Sequence, residues 1–63
     1  MADEFSARDK YQAILRELKY RRAVYPRLIT KGRMTPETAK RELEVMAAIG
    51  QDYQRELEKE RLL

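Results

Sequence analysis

The stretch from Arg16 to Arg33 holds seven cations, Arg16, Lys19, Arg21, Arg22, Arg27, Lys31 and Arg33, against the single acid Glu17, with Tyr20 and Tyr25 set among them. Cations at that density attract phosphates, and rings between them offer stacking faces, which is the chemistry of a nucleic-acid contact. The plainer account is that long cationic stems cover apolar helix surface while their heads stay in water, with Tyr25 in a core. The seven cations make up the candidate basic binding surface. Elsewhere charge is close to balanced: residues 1–15 carry Asp3, Glu4 and Asp9 against Arg8 and Lys10, and residues 34–63 carry seven acids against five bases. The net charge of +3 is therefore concentrated in this one stretch.

Other chemistry finds little material. The 63 residues include no His, Cys or Trp, which removes the commonest general base, the commonest metal ligands and the usual thiol nucleophile. Ser6, Thr30, Thr35 and Thr38 have no candidate activating triad, and helix capping accounts for Ser6 and Thr35. Glu56 and Glu60 share a helix face at i, i+4, as carboxylates of bundle metal sites do, but such sites normally add His. No glycine-rich phosphate loop is present. The expectation is a non-enzymatic protein with no catalytic residue, no metal, no cofactor and no small-molecule substrate.

The elements that position these residues read as helices. Charged residues make up 40% of the chain and apolar ones 43%, a mixture suited to amphipathic helices rather than disorder. Ser6 or Asp3 can cap a first helix, with Asp9 imitating the third residue of a capping box. Tyr11, Ile14, Leu15, Leu18 and Tyr25 then follow the spacing of one helical face. Pro26 lacks an N–H and clashes with the carbonyl four residues back, so this helix is expected to end or kink there and is placed over about 6–24. Residues 25–35 form the turn, in which Leu28 and Ile29 make a short helical plug and Gly32 supplies a left-handed residue. Thr35 caps a second helix, over about 36–61, with Pro36 at its first position and Glu37 at its positive end.

The inner face of the second helix carries Ala39, Leu43, Met46, Ile49 or Gly50, Tyr53 and Leu57 at near-heptad spacing. Folding back at about residue 30 sets Leu18 against Leu43, Leu15 against Met46, and Tyr11 against Gly50, with Phe5 near Leu57. The predicted core and dimer seam is Tyr11, Ile14, Leu15, Leu18, Tyr25, Leu43, Met46, Ile49, Tyr53 and Leu57. Val45, Ala48 and Ile14 are expected beside the seam, widening the apolar face beyond what two helices cover, and two copies are expected to pack these flanks together. A chain this short seldom draws more than about 3–5 kcal/mol from its own core. The fold class is thus all-α: a single-domain antiparallel two-helix hairpin over 1–63, dimerising into a four-helix bundle.

The longest apolar run, Val45 to Ile49, is far below the roughly 18 residues of a membrane span. The acidic start Met1-Ala2-Asp3-Glu4-Phe5 lacks the features of a signal peptide, which leads to an expected cytoplasmic location with no membrane partner. A DNA-binding helix-turn-helix usually has a third helix, for which there is no room.

The runs Tyr20 to Ile29, Lys31 to Ala39 and Glu42 to Met46, with Ile49, Asp52 and Tyr53, resemble small uncharacterised proteins encoded in bacteriophages and prophages, over about residues 16–54. That resemblance implies a bacterial or phage setting and brings no activity with it. Lys31-Gly32-Arg33-Met34-Thr35-Pro36-Glu37 is also similar to the turn of short oligomerising helical hairpins of the SHOCT type. Here Ala39 replaces their usual bulky residue, and Thr38 interrupts the acidic pair. The functional expectation is a helical adaptor or inhibitor that homodimerises and acts through a protein partner. The alternative is a small nucleic-acid-binding protein using the basic turn end.

Overall fold

The computed structural model describes residues 4–62. Two helices, α1 (Ala7–Thr30) and α2 (Pro36–Leu62), form an antiparallel hairpin measuring 47 × 20 × 19 Å. Its radius of gyration is 14.6 Å, against about 11 Å for a compact domain of this length. The molecule is a rod one helix pair thick.

Each helix begins where local chemistry dictates. The Ser6 hydroxyl accepts from the Asp9 N–H at 3.1 Å, and the Asp9 carboxylate accepts from the Ser6 N–H at 3.3 Å, so the capping box is complete despite the shorter acid. The other candidate cap, Asp3, lies outside the described residues. At α2 the Thr35 hydroxyl accepts from the Thr38 N–H at 3.1 Å, and Pro36 occupies the first helical position, where a missing N–H has no consequence.

Pro26 does not end α1. The helix runs on to Thr30 with Pro26 inside it, although an interior proline costs about 3 kcal/mol or more. The compensation lies just downstream. Gly32, at φ 72°, takes the left-handed conformation, and its N–H donates to the Ile29 carbonyl at 3.0 Å while that of Arg33 donates to Leu28 at 2.8 Å. These two bonds are a Schellman closure. Lys31 donates to the Arg27 carbonyl and the Thr30 hydroxyl to that of Pro26, each at 3.0 Å. Continuing the helix also keeps Val24, Tyr25, Leu28 and Ile29 half-buried. Leu28 and Ile29 are thus the last turns of α1 and not a separate plug.

The longer helix moves the fold-back point. Lys10 lies over the Tyr53 ring, Ile14 faces Gly50, and Arg21 reaches Glu42. Each of these pairs is centred on residues 31–32. A hairpin folded at residue 30 would place Tyr11 against Gly50; Ile14 takes that position instead. The core is thin: the only described apolar side chains below a tenth exposed are Leu18 (6%) and Ala39 (5%), with Gly50 buried beside them.

A Cβ at Gly50 would lie 3.2 Å from Ile14 Cγ2. Gly50→Ala gains about 1 kcal/mol of helix propensity and loses part of it to crowding, so its stability should stay within about 1 kcal/mol of the parent. Gly50→Leu should cost about 1–3 kcal/mol through overpacking, and Ile14→Ala should restore part of that loss, as read by chemical denaturation. Equal penalties with and without Ile14 would separate the two helices at this point.

Candidate functional site

Helical phase divides the hairpin surface into unlike parts. Along one flank, polar side chains join the helices. Lys10 Nζ sits 5.9 Å from the Tyr53 ring centroid, and Arg21 donates through Nε to Glu17 at 3.0 Å while its Nη1 lies 3.9 Å from Glu42. Arg21 Nη1 also donates to the Tyr25 hydroxyl at 3.1 Å. The Glu17 hydrogen bond raises the Arg21 pKa above its ordinary value; partial burial opposes this, and the bond and charge interaction with Tyr25 reinforce it. A cation whose folded pKa is raised contributes below its unfolded pKa and loses that contribution only as pH climbs through the raised one. For an arginine this lies in strong alkali, so Arg21 is a fixed charge in this network.

The opposite flank is open. A shallow groove of about 630 Å³ runs between the helices there, lined by Arg8, Tyr11, Gln12 and Leu15 of α1 and by Gln54, Leu57, Glu58 and Arg61 among the α2 residues. Leu15 is 45% exposed. It was expected opposite Met46, and it leaves the seam because the shifted register brings Leu18 and Ile14 to the midline, placing Leu15 on the rim. The remaining seam residues, Tyr11, Ile14, Tyr25, Leu43, Met46, Ile49, Tyr53 and Leu57, are half-buried.

Two further expected neighbours lie elsewhere. Val45 and Ala48 are exposed and share a depression with Arg41 and Glu44, to which α1 contributes nothing. They occupy the back of α2, whereas Ile14 belongs to the seam. Phe5 is exposed and shares a depression with α1 residues alone, among them Asp9, Ala13 and Arg16, so it does not lie against Leu57.

The third part is the outer face of α1. Arg16, Lys19, Arg22, Arg27, Lys31 and Arg33 are all exposed, but they do not share one face. Arg16 and Arg27 lie on this outer face with Lys31 continuing their line at the C-cap, Lys19 borders it, Arg22 lies one turn from Leu18 on the seam side, and Arg33 belongs to the turn. Arg21, the seventh member of the sequence-derived basic surface, is half-buried among Glu17, Tyr25 and Glu42 and does not belong with them. Tyr20 takes the reverse course. It is 63% exposed and stands between Arg16 and Arg27 on the outer face. The signal that locates it is phase: two positions from Leu18 and five from Tyr25, it falls on the far side of the helix from the seam.

Among the described residues, no three acidic side chains converge in a way that could hold a metal ion, and no helix is long and apolar enough to cross a membrane. No family model matches the chain, and neither the curated proteins nor the solved structures contain a match to it.

The contrast between Leu18 and Leu15 is directly measurable. Leu18→Ala should cost about 2–5 kcal/mol as a core truncation, while Leu15→Ala, measured in dilute solution, should cost about 1 kcal/mol or less. The reverse order in equilibrium denaturation would place Leu15 in the seam.

Proposed function

We propose that this chain is a non-enzymatic helical interaction module, an adaptor or inhibitor that works as a homodimer in the cytoplasm of a bacterial or phage system and acts on a protein target. The observation that carries this reading is its excess surface. The accessible area is 5525 Å² for 7.5 kDa, whereas a folded monomer of that mass exposes about 4,200 Å². Burying about 800 Å² per partner, as an ordinary interface does, removes much of the difference.

The open flank suits a second copy. Leu15, Tyr11 and Leu57 supply an apolar strip, and Arg8, Glu58 and Arg61 beside it carry both signs of charge, so a two-fold pairing can set cation against carboxylate. Two hairpins joined in this way make a four-helix bundle. The Val45 and Ala48 stripe on the back of α2 stays outside the bundle, and its exposed apolar groups suit a protein target. The likeness of the turn and its flanks to phage-encoded proteins and to oligomerising hairpins supports the same reading.

Sedimentation velocity at micromolar concentration tests the dimer. The parent chain should sediment as a dimer, and Leu15→Glu should shift it to monomer while leaving Val45→Glu dimeric. A parent that sediments as a monomer across this range would overturn the proposal, as would a dimer indifferent to Leu15→Glu.

A further inference from the structure

The outer face of α1 is used neither by the seam nor by the open flank, and it has a composition of its own. Arg16, Tyr20, Ala23, Arg27 and Lys31 succeed one another at steps of four, three, four and four, the spacing of a single helical stripe, and Lys19 borders it. All six residues are exposed. At 1.5 Å per residue the cations from Arg16 to Arg27 extend over about 16 Å. Between Lys10 and Lys31 the only acid on α1 is Glu17, whose carboxylate is held by Arg21. Asp9 closes the stripe at its N-terminal end, two turns before Arg16, where its carboxylate accepts from the Ser6 N–H. From Arg16 to Lys31 the stripe carries positive charge alone, with one aromatic ring in its middle.

Structural roles account for little of this. Arg27 in the last turn complements the negative end of the helix dipole, but Arg16 and Lys19 lie several turns from that end. Tyr20 faces water, although burial at the seam between the helices is what the rings of Tyr11, Tyr25 and Tyr53 obtain in part. An exposed ring flanked by cations at its own helical spacing presents a π-face to a base while the cations meet the adjoining phosphates. Inside a duplex the base faces are covered by their neighbours and a ring enters only at the cost of unstacking, which favours an unpaired base. An anionic membrane would need a broader apolar face than Phe5, Tyr20 and Ala23 provide.

We infer that the outer face of α1, from Arg16 to Lys31, binds single-stranded nucleic acid, with Arg16, Lys19, Arg27 and Lys31 along the phosphates and Tyr20 stacked on a base. Arg21 has no part in this contact, because its guanidinium is held at the seam. Arg16, Tyr20, Arg27 and Lys31 point away from the open flank and only Lys19, one turn beyond Leu15, stands at its edge, so the inference does not require the dimer.

Fluorescence anisotropy with a labelled oligothymidylate at low salt is the test, with the matched duplex, heparin and anionic phosphatidylserine vesicles as competitors. Four phosphate contacts predict that the logarithm of affinity falls with the logarithm of salt with a slope of about −3. Tyr20→Ala should weaken oligothymidylate binding between about 5-fold and about 100-fold. The same change should leave heparin binding unaltered, and Tyr20→Phe should restore the strand affinity. Absence of binding at low salt would overturn the inference. Equal affinity of Tyr20→Ala and the parent, or tighter binding of the duplex or the vesicles, would also overturn it.

Discussion

The close approach of Ile14 to Gly50 sets the distance between the helices, and that single seam governs the rest of the molecule. A residue without a side chain lets the second helix come near enough for Ile14 to lie against its backbone. Close approach narrows the core as it tightens it. Two helices share one line of contact, and along that line only Leu18, Ala39 and Gly50 are buried among the described residues. The other seam side chains, Ile14 and Met46 among them, are only half-buried.

From this geometry the remaining faces acquire different characters. One rim is held by charge and ring contacts, through Lys10 with Tyr53 and Arg21 with Glu17 and Glu42. The other rim has Leu15 and a groove instead. The back of α1 has cations and Tyr20. Because Arg16, Tyr20, Arg27 and Lys31 face away from the groove, a proposed dimer through the groove and a proposed strand contact on the back of α1 can exist together. Dimerisation would then duplicate the basic stripe, and a longer strand could engage both copies.

What the sequence made legible was chiefly local. Ser6 with Asp9, Thr35 with Pro36, and Gly32 each act within a few residues, and each has its expected backbone role. Pro26 was misleading because its penalty is local while its compensation is distributed. The Schellman closure at Gly32 and the half-burial of Tyr25, Leu28 and Ile29 together outweigh one lost helical bond. Extending α1 through Pro26 shifted the register by less than a turn, which was enough to set Ile14 in place of Tyr11 opposite Gly50, while Leu15 lies on the rim. The basic patch shows the same division. Its charge is visible in composition, but which members face outward depends on phase, and phase places Arg21 in the seam network and Tyr20 in solvent.

If one seam is too little to hold this chain as an isolated hairpin, its stability must depend on how much of it is present. Thermal unfolding followed by circular dichroism over a hundred-fold range of protein concentration tests this most directly. A self-associating hairpin should show a midpoint that rises by several degrees with concentration. A midpoint that stays constant across the range, with a cooperative transition at the lowest concentration, would show that the seam alone sustains the fold.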